Sequence, residues 1–511
     1  MLFSIRIFVF EISQMDLLGK IGVFKTPQGH KITTPTLFPV VDPKFQEITP
    51  KEMYNNFRVE GIITSAYLSK KRGIVDEVYE LGGIHEWFDF PGVIMMDSGA
   101  YQLMLYGEVD IDEKETIRVQ EKMRPDIGVP LDIPVLLNMN KEEVRKRVEE
   151  TIIRMCRVED FVSKEEILWT LPIQGGRFID LQSSYISKIK KNNCLEFFGF
   201  FALGSVVPIM ISYEYNTLIE MMFNARRLLP FDRPLHLFGA GHPMMFALAT
   251  AIGYDTFDSA AYILMAKEGR YLTVNGTYLL KDLQEFPCDC PVCTEYTPEE
   301  IRKLDKKKRT ELLAKHNLYV SMGEIRNIRQ AIREGRLWDL VRERSRAHPK
   351  LYDAIENLIF DEEKISFIST GTPSTRLSTI RVYDLLDTKR PEVLVNGLLG
   401  YKPSKKEATV IVITEESSTY HIAQEYLKSD DFVGDTFVFH PIFGLVPIEL
   451  ADTYPFNQVM FTISTTRKIW VSKFLEAEQF LKRHYSRIII QKNSNTDLGK
   501  EISNLFEETF T

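Results

Sequence analysis

Cysteine is scarce in this chain, long apolar runs are missing and neither sign of charge dominates; each shortage removes a class of protein. Of only five cysteines in 511 residues, Cys288, Cys290 and Cys293 sit close together while Cys156 and Cys194 stand alone. That pattern is no disulfide framework and fits a reducing cytoplasm. No run approaches the roughly 18 apolar residues of a membrane helix, so no spanning helix is expected. The apolar opening MLFSIRIFVFEI is short, carries Arg6, runs into Glu11 and lacks a small-residue cleavage site, so it fails as a secretory leader. It reads as a first strand, or as the product of a start placed upstream of the native one. A formal net charge of −8 decides nothing about nucleic acid, because binding depends on where basic residues cluster. No internal repeat is visible.

What the chain does contain is a regular series of short apolar runs. They lie at Pro35 to Val41, Gly61 to Ala66, Val93 to Ser98, Ile127 to Asp132, Ile167 to Gln174, Phe197 to Ser205, Pro234 to Gly241 and Tyr254 to Ala261. Helix-period segments separate most of them; between Lys141 and Val162, for example, Val144, Val148, Ile152 and Met155 share one face. Eight strand candidates alternating with helices predict an α/β protein built on a (β/α)8 barrel, although a doubly wound open sheet would give a similar string. After Lys350 the rhythm changes. Extended segments at Ala408 to Thr414 and Thr436 to Phe439 frame a helix-like Tyr420 to Leu427, and Lys492 to Thr496 reads as a loop. The expected division is a catalytic barrel over 1–350, with a metal-binding subdomain around 280–345, and a smaller α/β region over 351–511 without a catalytic constellation of its own.

The ends of the strand candidates carry the chemistry. They deliver Asp97-Ser98-Gly99-Ala100-Tyr101-Gln102, Asp132-Ile133-Pro134, Gln174-Gly175-Gly176, Leu203-Gly204-Ser205, Phe238-Gly239-Ala240-Gly241 and Asp258-Ser259. In a barrel these all fall on the carboxyl-terminal face, where active sites form. Asp97 and Asp258 are a candidate carboxylate pair for displacement at a sugar anomeric carbon, one attacking and the other handling the proton. Either aspartate alone could merely cap a helix. Asp132 and Gln174 offer hydrogen-bonding groups for the edge of a purine-like base, and Tyr101 and Phe238 are rings that could sandwich it. Glycines such as Gly175 and Gly204 allow close backbone approach.

Two further clusters flank this set. Cys288-x-Cys290-x2-Cys293 followed by His316 supplies three thiolates and an imidazole, four ligands that close a structural zinc site. From Ile301 to Lys350 there are 15 Lys or Arg against 6 Asp or Glu, a local net of +9. Within that stretch Arg326, Arg329, Arg333 and Arg336 recur at helical spacing, a candidate phosphate-backbone surface whose ordinary reading is a solvated helix face.

The motifs DSGAYQ, LDIP, PIQGG, ALGSVVP, HLFGAGHP, GYDTFDSAAY, CDCPVC and the HNL at His316 resemble, in this order, the archaeal branch of the tRNA-guanine transglycosylases. The similarity spans about Phe10 to Lys350 and reappears in HPIFGLVPIELADTYPFNQ. It implies a (β/α)8 barrel with one structural zinc per chain, acting as a homodimer in the cytoplasm. The implied reaction replaces guanine 15 of the tRNA D-arm with 7-cyano-7-deazaguanine (preQ0), in archaeosine biosynthesis. By the same resemblance Asp258 is the covalent nucleophile and Asp97 the general acid/base. Ser98, Asp132, Gln174, Gly175 and the backbone of Ala202, Leu203 and Gly204 hold the base, and Tyr101 and Phe238 stack on it. Two departures stand out. Ala100 occupies a position where relatives often carry Gly or Ser. The chain also ends in the acidic GKEISNLFEETFT without room for the PUA RNA-binding domain of many archaeal relatives, so a separate PUA-type protein is an expected helper, or tRNA is held more weakly. An archaeosine-synthase paralogue would need a reactive cysteine in its later part, and none follows Cys293. A non-catalytic partner subunit would have lost Asp97 or Asp258, and both are present.

Overall fold

The computed structural model describes residues 9–100, 112–163, 166–371, 379–390, 397–398, 400–412, 433–492 and 497–510. They fall into two compact units, Met1–Arg333 with Leu340–Asn357, and Glu334–Asp339 with Leu358–Thr511.

The first unit is a closed eight-stranded barrel. Its strands are β1 (Thr36–Pro39), β2 (Gly61–Ser65), β3 (Val93–Asp97), β4 (Ile127–Gly128), β5 (Leu168–Ile173), β6 (Phe200–Leu203), β7 (Leu235–Leu237) and β8 (Thr256–Ser259). From β2 to β8 each pairs in parallel with the next, and β8 pairs in parallel with β1. A bridge between Val40 and Ile63, with Val41 N donating to Ile63 O at 2.8 Å, shuts the ring. Every one of the eight sequence runs therefore holds a barrel strand. Strands sheathed on both faces need continuous apolar runs, and β5 and β6 are buried at every position. The helix Lys141–Phe161 buries the forecast Val144, Val148, Ile152 and Met155, and its start is fixed by a capping box between Asn140 and Glu143.

An antiparallel meander, Val9–Asp16, Gly19–Lys25 and Lys31–Thr33, plugs the amino-terminal end of the barrel. Phe24 and Ile32 from it join Phe38, Ile63, Val93, Met95, Leu168 and Phe200 in one buried cluster. Asp126, just ahead of β4, pins the plug. One carboxylate oxygen accepts Thr26 Oγ1 at 2.7 Å and meets His30 Nδ1 at 2.7 Å; the other accepts Ile94 N at 2.9 Å and lies 3.0 Å from His85 Nε2. Burial alone would raise the pKa of this acid, but the hydrogen bonds from His30 and His85 win and hold it at about 2.

Cys156 and Cys194, which stand alone in sequence, are joined as a disulfide with Cα atoms 5.2 Å apart. The helix Lys141–Phe161 and the turn after helix Ile179–Lys191 bring together two cysteines 38 residues apart, a proximity that spacing cannot reveal.

The second unit is α/β. Glu407–Val412 pairs in parallel with Asp435–His440 and with Arg487–Lys492, and Gly444–Pro447 folds back antiparallel on Asp435–His440. Helices Ile463–His484 and Asp497–Phe510 cover this sheet, burying Trp470, Phe474, Ile502 and Phe506. The acidic closing segment thus supplies a packed amphipathic helix. The helix expected at Tyr420 to Leu427 lies outside the described residues, as does most of the Lys492 to Thr496 loop.

Candidate active site at the carboxyl-terminal mouth

Asp97 is the last residue of β3, and its Oδ2 accepts the Gly99 amide at 3.0 Å. Burial is the main force on this carboxyl; the charges of Asp132 and Asp258 add to it, and together they outweigh the Gly99 and Ser98 amides to push its pKa up to about 7. A carboxylic acid so placed can be either protonated or ionised near neutral pH, which suits a group that must give and take a proton.

Asp132 is nearly sealed, at 6% exposure, and burial lifts it to about 6 against the pull of the Gln174 amide. Gln174 Nε2 donates to Asp132 Oδ2, and Ser205 Oγ donates to Gln174 Oε1 at 2.9 Å. This chain fixes the amide of Gln174, with nitrogen toward the acid and oxygen toward the hydroxyl. Gly204 makes room for it, because a Cβ there would stand 2.8 Å from Gln174 Nε2. Gly175 turns the chain at φ +134°, where a Cβ would lie 2.6 Å from the Gln182 amide. Ala202 and Leu203 are buried in β6, with Leu203 O accepting Phe238 N at 3.2 Å and Gly204 N donating to Ile173 O at 3.1 Å. Ser98 is fully buried, its hydroxyl accepting Ala100 N at 3.4 Å. Phe238 is half-buried at the end of β7, and Tyr101 lies outside the described residues.

Asp258 stands on β8 in register with Phe38 of β1. Its Oδ1 accepts Gly239 N at 2.7 Å and meets His236 Nε2 at 3.0 Å. The sequence reading singled out neither His236 nor Thr256. The available signal was a polar side chain inside an otherwise apolar strand, two residues from Phe238 and so on the same face.

Cys288, Cys290, Cys293 and His316 offer four ligand atoms that all lie within 4.8 Å of one another. His316 Nδ1 is 3.4 Å from Cys290 Sγ and 3.3 Å from Cys293 Sγ, while its Nε2 donates to Leu272 O at 2.8 Å. Tyr271 stacks on the imidazole at 3.7 Å and its hydroxyl reaches Cys293 Sγ at 3.4 Å. Soft donors with an imidazole oriented from behind by a carbonyl fit a metal ion. A second group with metal-ligand chemistry, His30, His85 and Asp126, sits at the opposite end of the barrel. There the carboxylate is already occupied by the plug.

The arginine stripe does not survive as one surface. Helix Lys306–Glu334 ends before Arg336, where Gly335 takes φ +67°. Arg329 turns inward, donating through Nε to Pro35 O at 2.9 Å and through Nη2 to Thr33 O, with Glu60 3.6 Å away. It ties the helix to the barrel, because bare carbonyls ahead of β1 need donors. Arg326 and Arg333 remain exposed.

Residues 16–350 match the family model described as queuine tRNA-ribosyltransferase. The chain is 39% identical to the tRNA-guanine(15) transglycosylase of Methanosarcina barkeri over 88% of its own length and 87% of that protein's. It is 39% identical to the enzyme of the same name from Methanococcus aeolicus, over 88% and 68% of the two lengths. The corresponding Methanobrevibacter smithii protein is 37% identical over 96% and 75%. A closed parallel barrel with its acids gathered at the mouth, and a match over this length, lead to one assignment: the chain belongs to the queuine tRNA-ribosyltransferase family of tRNA-guanine transglycosylases.

Proposed function

We propose that this protein exchanges guanine 15 of tRNA for 7-cyano-7-deazaguanine through a covalent link between Asp258 and the ribose. One observation carries the reading: Asp258 meets the mouth with one oxygen tied down, while Asp97, electrostatically coupled to it, is held at about 7. Flipping the target nucleotide out of the D-arm costs a few kcal/mol. Asp258 attacks C1′, the C1′–N9 bond breaks, and Asp97 protonates the departing guanine. The new base enters the same slot, its N9 attacks C1′, and its proton returns to Asp97. The Asp132–Gln174–Ser205 chain reads the polar edge of the base, and Phe238 with Tyr101 provides the stacking faces. Ser98, Gly175 and the Ala202-Leu203-Gly204 backbone shape the floor.

The catalytic work is assigned to 1–350, and 351–511 is a separate α/β region. Cys288, Cys290, Cys293 and His316 would hold zinc, which would supply a structural cross-link between segment 288–293 and the long helix and would take no part in the exchange. A homodimer, and a separate PUA-type helper for tRNA, complete the proposal. Labelled guanine, then preQ0, offered with an unmodified archaeal tRNA transcript tests it. Incorporation at position 15 by the wild type, absent in Asp258→Ala and Asp97→Ala, is the expected result. A wild type that binds tRNA yet incorporates neither base, even with a PUA-type protein added, overturns it.

A further inference from the structure

The carboxylate of Asp258 has two chemically distinct oxygens, and His236 makes them so. In the register of β7 and β8, His236 is the direct partner of Thr256, two residues before Asp258. The imidazole is fully buried and boxed by the rings of Phe38, Phe200 and Phe238, with centroids 5.9, 6.3 and 4.9 Å away. Inside that apolar box its nitrogens have two polar partners, Thr256 Oγ1 at 2.9 Å from Nδ1 and Asp258 Oδ1 at 3.0 Å from Nε2. A carboxylate only accepts, so Nε2 carries the hydrogen and points it at Oδ1. The Thr256 hydroxyl, able to give or take, satisfies Nδ1. The Gly239 amide, presented by a turn at φ +60°, adds a second donor to the same oxygen at 2.7 Å. Among the described residues no donor reaches Oδ2.

We infer that His236 is a positioning residue that selects Oδ2 of Asp258 as the atom that bonds ribose C1′. The inference rests on the covalent reading given above. In the first half-reaction the Oδ2 lone pair forms the C1′–O bond as C1′–N9 breaks, its electron pair leaves on the purine, and Asp97 supplies the proton. Oδ1 then becomes the carbonyl oxygen of the aspartyl ester, still facing two N–H donors. In the second half-reaction the N9 pair of the incoming base makes the new bond. The C1′–O pair returns to Asp258, and the N9 proton goes to Asp97. Charge reappears on the carboxylate in this step, so the donors on Oδ1 favour it more than they favour formation of the ester. The pair orients Asp258 for attack and eases its departure.

The test compares His236→Phe, His236→Gln and Thr256→Val with wild type, using labelled guanine and tRNA. Phe keeps the ring volume among its aromatic neighbours and removes both nitrogens; Gln can place an amide N–H near the Nε2 position. His236→Phe is expected to lower kcat by roughly 10- to 100-fold with KM for tRNA unchanged, and to raise the fraction of tRNA trapped covalently on denaturing gels. His236→Gln should restore much of the rate, and Thr256→Val should show the same signature in weaker form. If His236→Phe does not fold, Thr256→Val and His236→Gln are read on the same two measures. Exchange within about threefold of wild type in Thr256→Val and His236→Phe overturns the inference, as does a loss carried by KM with no gain in trapped tRNA. Retention of exchange by Asp258→Ala would instead sink the covalent reading itself, whatever His236 does.

Discussion

The barrel has acids at both ends; burial raises the pKa of each, yet their net shifts are opposite. At the amino-terminal plug Asp126 is sealed, yet its pKa is held at about 2, because hydrogen bonds and charge from His30 and His85 outweigh burial; Thr26 and Ile94 donate to the same carboxylate. At the carboxyl-terminal mouth Asp97 and Asp132 are pushed to about 7 and about 6, because burial outweighs their few donors and, at Asp97, neighbouring acids add to the push. Desolvation raises a carboxyl pKa at either place; what differs is how many protein groups answer the charge. The plug is complete in itself. Among the described residues the mouth offers its acids few donors, and under the proposed exchange the substrate would supply more.

The sharpest way to break this contrast is to neutralise one acid at each end. Asp97→Asn should cost roughly 10²- to 10⁴-fold in exchange rate, the range of a lost general acid/base, in assays of labelled guanine incorporation, while the protein stays folded. Asp126→Ala should do the reverse. Removing one member of a buried charge network costs about 3–5 kcal/mol, read as a drop in unfolding midpoint, and the exchange rate per folded molecule should hold near wild type. Equal losses of activity at both ends would erase the distinction.

The pH dependences should also run in opposite senses. A native pKa raised to about 7 at Asp97 means that the folded state holds the proton more tightly than the unfolded chain. Its stabilising contribution is therefore present in acid and is lost as pH rises from roughly 4 to 7. Asp126, depressed to about 2, contributes above roughly pH 4 and loses that contribution as pH falls through about 2. Melting curves should accordingly show Asp97→Asn flattening the decline between pH 4 and 7, and Asp126→Ala flattening the acid side. In the wild type kcat/KM for tRNA should fall above about pH 7 as Asp97 loses its proton.

Smaller effects sharpen the map away from both ends. Cys156→Ser, or reductant, should lower stability by up to about 4 kcal/mol, the chain-entropy value for a loop closed across 38 residues. Activity at 25 °C should be untouched, and a two-hydrogen mass difference would verify the bond. Smallest of all is the separation of the two arginines. Exposed Arg333→Glu should weaken tRNA binding and reduce its salt slope by about one, whereas Arg329→Ala, which frees two backbone carbonyls, should lower the melting temperature and leave the salt slope alone.

Much of this was readable from the order of residues. The eight strands were legible because a barrel strand is apolar on both faces, and the mouth because strand ends carry acids, glycines and rings where strand interiors do not. The cluster of Cys288, Cys290, Cys293 and His316 was legible because closely spaced soft donors with a later histidine are a recognisable metal-ligand pattern. His236 was hidden inside an apolar run, where a lone histidine looks like core; only the register of β7 against β8 sets it between Thr256 and Asp258. The arginine spacing misled because period shows which residues share a helix face and says nothing about what that face meets. Arg329 meets the carbonyls ahead of β1.

The sequence alone determined the eight alternating strand candidates, the motifs that resemble the transglycosylase family and the residue types at the strand ends, since periodicity and local spacing are properties of neighbours along the chain. Tertiary structure alone decided that the strands close into a barrel, that Cys156 pairs with Cys194, that Arg329 faces inward and Asp126 is saturated, and that one oxygen of Asp258 is held while no donor among the described residues reaches the other. Each of these depends on groups tens to hundreds of residues apart meeting within a few ångströms, and hydrogen bonding and desolvation act over that distance and not along the sequence.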